Sequence, residues 1–210
     1  MKKIILILLV LVAASSCRKL EDLNVNTKDP TAVPGESLFT GAQKALFDQM
    51  INTNVNTNIF RLIVQYWTEC TYIDESNYDL ATRSIPDNQW NILYRDVLKD
   101  FQESAKIVGE TDYAMDGDNG EGKKNRLAII EIMSVYTWSI LVETFGNVPY
   151  SEALNLEKPL PKYDDAQTIY KNLVARIDAA VSNMDANGVS FGVADNMYQG
   201  DVAAWIKFAK

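Results

Sequence analysis

Cys17 is the residue whose chemistry is framed most sharply by its neighbours. It follows Ala13, Ala14, Ser15 and Ser16, an apolar run at residues 4–12, and a basic start at Lys2 and Lys3. About nine apolar residues are too few for a membrane-crossing helix, which takes roughly 20. Small residues ahead of a cysteine let a peptidase groove accept the extended chain. The thiol then carries a diacylglycerol, and the new amino terminus is acylated. Each buried methylene contributes roughly 0.8 kcal/mol, and two or more acyl chains make the attachment stable. Residues 1–16 therefore read as a bacterial lipoprotein signal and residues 17–36 as a lipidated cysteine with an extended tether. Ala14 departs from the Leu most often found there, and an ordinary secretory signal with an incidental Cys17 is the alternative.

The remaining candidates for chemistry are fewer. Cys70 lies in an apolar helical pattern and reads as a small core hydrophobe. The chain has no histidine, which removes the commonest general base, the usual partner of a serine or cysteine nucleophile, and the commonest zinc ligand. Asp74, Glu75, Asp79 and Asp87 could supply the carboxylate pair of a glycosidase, whose members stand roughly 5 to 9.5 Å apart. Acidic residues in a turn-rich loop are more often simply solvated. The stretch 116–122 looks like a calcium loop, but such a loop needs a bidentate Glu at its twelfth position; counted from Asp116, that residue is Leu127. It reads as an exposed connection.

Composition bounds what can hold these residues in place. The 210 residues are 47% hydrophobic and 10% aromatic, enough for one ordinary core. Lys and Arg total 20 against 28 Asp and Glu; without Lys2 and Lys3 the balance is 18 against 28, near −10. An acidic chain of this kind argues against nucleic acid as a partner, because a phosphate backbone requires clustered Lys and Arg.

Helical periodicity runs almost throughout. The spacing predicts helices over about 37–50 and 58–72, a third beginning near Asn88 and carrying Trp90, Leu93, Tyr94, Val97 and Phe101, and a long one over about 124–145 that Gly146 ends as a left-handed cap. Trp90 and Tyr94 read as core. Asp164 or Asp165 caps a fifth helix that Gly188 stops, and a last helix follows Asp201. Residues 71–86 read as an ordered loop mixing aromatic and polar side chains, and no strand pair is evident. The class is all-α. Helix starts near Asn88, Lys124, Asp165 and Asp201 are about 36, 41 and 36 residues apart, close to the period of tetratricopeptide-like helical hairpins. The terminal 205–210 segment, with Trp205, Ile206 and Phe208, would be an unpaired amphipathic end, so the sequence reads as the front part of a longer protein.

Several segments, taken in order, resemble the SusD/RagB family. They are the tether at 22–31, the Trp90-x-x-Leu93-Tyr94 helix start, Phe145-Gly146-Asn147-Val148-Pro149-Tyr150 with its continuation to Ala153, the 163–170 segment, and Trp205-x-Lys207-Phe208-Ala209. The match is to the SusD-like branch of nutrient-binding outer-membrane lipoproteins, over its N-terminal portion. The resemblance implies stacked helical hairpins of tetratricopeptide-like type in residues 37–210, incomplete at the C-terminus. It implies a lipid-anchored outer-membrane protein facing the cell surface, which binds an oligosaccharide or peptide nutrient and delivers it without catalysis or cofactor to a SusC-like TonB-dependent transporter. Arg18 and Lys19 precede the acidic Glu21 and Asp22, a departure that bears on outward orientation. A purely scaffolding helical-repeat lipoprotein is the other reading.

The resemblance also places ligand contacts in the loop ahead of the third helix, here Tyr72, Asn77, Tyr78, Arg83 and Asp87. Aromatic faces stack on the apolar side of a pyranose while Asn, Arg and Asp bond its hydroxyls. Alternatively Tyr72 and Tyr78 pack the loop and Arg83 pairs with a neighbouring carboxylate. The Gly146 to Tyr150 motif reads as architecture, with Tyr150 covering the end of the long helix.

Overall fold

The computed structural model describes residues 32–114 and 120–210. The expected signal, Cys17, most of the tether and residues 116–119 of the turn-rich connection lie outside the described residues. Among the described residues seven α-helices follow in chain order: α1 (Gly35–Ile51), the single turn α2 (Phe60–Ile63), α3 (Ile85–Asn91), α4 (Lys99–Glu110), α5 (Glu121–Phe145), α6 (Ala166–Ser182) and α7 (Val202–Ala209). A π-helical stretch, Ile92–Leu98, joins α3 to α4 while the backbone stays right-handed, so 85–110 is one continuous rod.

Helix packing is between successive elements. α1 lies along α4 and the π-helical stretch, α5 packs between α4 and α6, and α7 closes on α5 and α6. Gly35 sets the first contact: a Cβ there would stand 2.8 Å from a Val108 methyl, and Ser104 Oγ donates to the Gly35 carbonyl at 2.7 Å. The core runs from Phe39, Ala42 and Leu46 of α1 through Leu93, Val97 and Phe101 to Ile129, Met133 and Leu141 of α5, and on to Ile169, Leu173 and Trp205. α5 is long and apolar enough to cross a membrane by composition, but it is the central core helix, mostly enclosed by its neighbours.

The ends of these helices are capped as their side chains dictate. Asp165 accepts from the Thr168 backbone N–H at 2.8 Å and Asp201 from that of Ala204 at 3.0 Å. Gly146 closes α5 through its N–H on the Val142 carbonyl, with φ +75° and ψ −119°, a positive-φ turn rather than a left-handed helical residue. The chain then makes a two-residue antiparallel pair, β1 (Val148–Pro149) with β2 (Tyr163–Asp164). Sequence reading missed this pair because two residues show no alternation. Asp195, fully buried, accepts from Gln43 Nε2, Trp205 Nε1 and the Met197, Tyr198 and Gly200 backbone N–H groups at 2.7–3.3 Å, fastening the segment before α7 onto α1.

Four further expectations are corrected. The predicted 58–72 helix is only Phe60–Ile63, after which Gln65 takes φ +59° and the chain turns. Cys70 is consequently exposed rather than in the core. α6 ends at Ser182 with Asn183 as its cap, six residues before Gly188. Tyr150 packs edge-on against Trp138 and bonds Asn172 and Arg176, tying α5 to α6 rather than covering a helix end.

Candidate functional site

Residues 52–84 connect α1 to α3 with little regular structure, and polar side chains supply the order. Asn52, Asn54 and Asn58 accept from the backbone N–H two residues on, at 2.8, 2.9 and 3.2 Å. Below them lies an ion pair. Glu75 is 1% exposed, and its Oε1 accepts from Arg83 Nε at 2.5 Å while Arg83 Nη1 donates to Asn56 Oδ1. A carboxylate withdrawn from water is tolerable only when paired in this way. Its Oε2 has no hydrogen-bond partner.

The rings of this segment face outward. Tyr66 and Tyr72 are 83% and 81% exposed, with Trp67 and Tyr78 about half exposed. The Arg61 guanidinium sits 5.1 Å from the Trp67 ring, and Tyr78 Oη donates to the Ile63 carbonyl at 3.1 Å. Gln65, Tyr72 and Tyr78 all have φ between 58° and 64°, a left-handed conformation that costs a non-glycine residue roughly 1 kcal/mol. An exposed aromatic surface held in strained backbone can stack on a flat apolar ligand face, with amide and guanidinium groups at hand for hydroxyls.

Of the sequence candidates, Tyr72 and Asn77 stand on this surface, Asn77 at the end of the 3-10 turn Glu75–Asn77. Tyr78 and Arg83 belong to the same segment but also fasten it, through Ile63 and Glu75. Asp87 stands apart, in the first turn of α3. Among the other carboxylates, Asp74 accepts from Thr82 Oγ1 at 3.1 Å and Asp79 from the Ala81 N–H at 3.0 Å, each holding a local turn. Among the described residues no cluster of three or more Asp, Glu, Cys or His could hold a metal ion.

Asp87 lines a separate cleft of about 350 Å³ with Pro86, Trp90, Phe145 and Tyr163. Trp90 is half-buried and packs edge-on against Phe145 (5.1 Å) and near-parallel to Tyr163 (6.2 Å, 28°). It is thus less enclosed than its helical spacing implied, and Tyr163 was outside the sequence candidates altogether. The pair is 73 residues apart in sequence and meets only because β2 returns to β1. The one local signal was Tyr163 standing between the charged Lys162 and Asp164.

Behind the cleft, Tyr94 Oη donates to the Pro149 carbonyl at 2.6 Å, and burial, with Tyr163 and Asp164 nearby, pushes its phenol up. The Ser151 N–H at 2.6 Å is the main influence holding the Asp164 carboxyl below its usual range. A further cleft of about 310 Å³ between α4 and α5 contains Arg176, whose guanidinium is bound by Glu131 through two bonds and by Tyr150 Oη.

Comparison with known proteins fits this architecture. A SusD-like family model described as "Starch-binding associating with outer membrane" matches residues 27–210. Among solved structures, the chain is similar to a Bacteroidetes AC2a SusD-like protein (22% identity, TM-score 0.65, covering 84% of this chain and 31% of that one). It is also similar to a chitin-binding protein (23%, TM-score 0.63, 83% and 36%). A third is a SusD/RagB family protein from Bacteroides thetaiotaomicron VPI-5482 (23%, TM-score 0.64, 85% and 36%). At these identities the likeness establishes the fold, and the chain spans about a third of the length of each. No curated protein matches.

Proposed function

From the premise that the chain belongs to the SusD-like family, whose description is starch binding in association with the outer membrane, we propose that it captures an oligosaccharide and hands it to a SusC-like TonB-dependent transporter. The step is binding and release, without catalysis. The observation that carries this reading is the group of solvent-facing rings Tyr66, Trp67, Tyr72 and Tyr78 in one segment that also holds the Arg83–Glu75 pair. Four exposed rings grouped in one segment are suited to stacking on sugar rings. Tyr72, Asn77, Tyr78 and Arg83 contribute the first contacts, and Asp87, which stands apart from them, offers a further acceptor in the first turn of α3. The roles of Glu75, Asp74 and Asp79 in local structure support binding over hydrolysis.

Cys17 anchors the protein by its lipid, with the tether placing the helical array at the outer face of the membrane. Two measurements test the reading together. Oligosaccharide binding by the purified protein and co-purification of a barrel transporter are expected; turnover of glycosides with neither would overturn it. Cys17→Ala is expected to move the protein from the membrane fraction to the soluble one, and unchanged membrane association would remove the anchor from the proposal.

A further inference from the structure

The Trp90–Tyr163 cleft is not part of the 64–84 surface, and its chemistry can be read separately. Three rings and Pro86 give it apolar walls, and a volume of about 350 Å³ admits one sugar ring with its water. Trp90 and Tyr163 are stacked near-parallel at 6.2 Å between centroids, too close to hold a sugar ring between them, and Tyr94 lies 4.8 Å from Trp90, so Trp90 backs the cleft and Tyr163 carries its exposed ring. Tyr163 is 66% exposed, and its outer edge is open to a ligand.

The polar group at the rim is Asp87, an exposed carboxylate that makes no hydrogen bond or ion pair with any described residue. A free carboxylate accepts and cannot donate when ionised. The ligand must therefore bring donors, and the sugar hydroxyl is such a donor. An anionic ligand would meet like charge in a chain whose net charge is already −8.

We infer that Pro86, Asp87, Trp90, Phe145 and Tyr163 form a second saccharide subsite, stacking one neutral pyranose on the exposed Tyr163 ring with Trp90 and Phe145 as the apolar wall behind it, hydrogen-bonding it through Asp87, and discriminating against uronic acids. The inference rests on the glycan-binding reading above and adds to it a location and a preference for neutral glycans. α3 carries Asp87 in its first turn, just after the loop.

Isothermal titration of maltohexaose and of trigalacturonate into the purified protein tests it. Trp90 supports neighbouring rings, so Tyr163→Ala and Asp87→Ala, both at exposed positions, are the variants to use, with thermal unfolding as the check on folding. Tyr163→Ala is expected to weaken maltohexaose binding about tenfold, the loss of one stacking contact. Asp87→Ala is expected to weaken maltohexaose and to bring trigalacturonate binding closer to it. Maltohexaose affinity unchanged in Tyr163→Ala but lost in Tyr72→Ala would overturn the second subsite and leave the glycan-binding function standing. Absence of maltohexaose binding to the unaltered protein would overturn both. Trigalacturonate binding as tightly as maltohexaose to the unaltered protein would overturn the stated preference.

Discussion

The helical array encloses its central aromatic residues, whereas the 52–84 segment turns most of its own to solvent. In the array, Phe39, Phe101 and Trp205 are fully enclosed, and each joins two or more elements. In the segment, Tyr66, Trp67, Tyr72 and Tyr78 point to solvent while polar and charged side chains do the fastening. Apolar burial at about 25 cal/mol per Å² explains the first region without reference to function. The second region keeps apolar rings in water and backbone in the left-handed region, which stability alone does not favour. What the contrast teaches is where to look for ligand contacts: in the part of the chain whose order comes from hydrogen bonds rather than from a core.

The largest effect that would test this division is in the array. Asp195→Ala removes the acceptor for five N–H donors, several of them buried, and is expected to lower stability by about 3 kcal/mol or more in a chemical denaturation curve. Arg83→Ala strands the buried Glu75 carboxylate and is expected to destabilise the segment by about 2 kcal/mol, less than the roughly 3–5 kcal/mol of a fully buried pair because Arg83 is partly exposed. Hydrogen exchange should locate that loss in residues 52–84, with α5 protected as before. Equal loss of protection in both regions would erase the distinction between them.

Within the array, the Tyr94 hydroxyl joins the π-helical stretch to β1. Tyr94→Phe is expected to cost about 1 kcal/mol, the usual net contribution of one such hydrogen bond. It also bears on alkaline stability. Burial pushes the phenol up, and Tyr113, buried and donating to Glu36, is pushed up to about 12. A group whose native pKa exceeds its unfolded value of 10.0 stabilises fully below pH 10, and its contribution is lost as pH rises to about 12. The Tyr94→Phe/Tyr113→Phe protein should therefore show a flatter fall in stability over that interval than the unaltered one.

The smallest effect has the opposite sign. Tyr72 has φ +58° and a ring that is 81% exposed, so Tyr72→Gly relieves the backbone and removes little packing. Stability is expected to rise by about 0.5–1 kcal/mol, measured as a higher melting temperature.

The array was legible in the sequence because its signals are local and redundant. Apolar residues at helical spacing place α1, the 85–110 rod, α5 and α6, while Asp165, Asp201 and Gly146 mark their ends. The 58–72 helix failed for a reason the spacing could not reveal: Ile59 and Leu62 are buried, but Tyr66, Trp67 and Cys70 continue the same rhythm on the outside. Aromatic residues satisfy a helical pattern whether they face a core or a ligand. The loop candidates were found through family resemblance, but the buried status of Glu75 depends on Arg83 folding back onto it. Tyr163 joined Trp90 through a two-residue strand pair, a contact over 73 residues that no local pattern encodes.

That the exposed rings of the 64–78 stretch carry the glycan is tested most directly by titrating maltohexaose into the unaltered protein and into a Tyr72→Gly/Tyr78→Gly protein. The expected result is binding weakened about tenfold or more while the variant stays folded, its stability lowered by no more than the Tyr78–Ile63 hydrogen bond contributes, about 1 kcal/mol. Equal affinity in the two proteins, with the variant folded, would contradict the assignment.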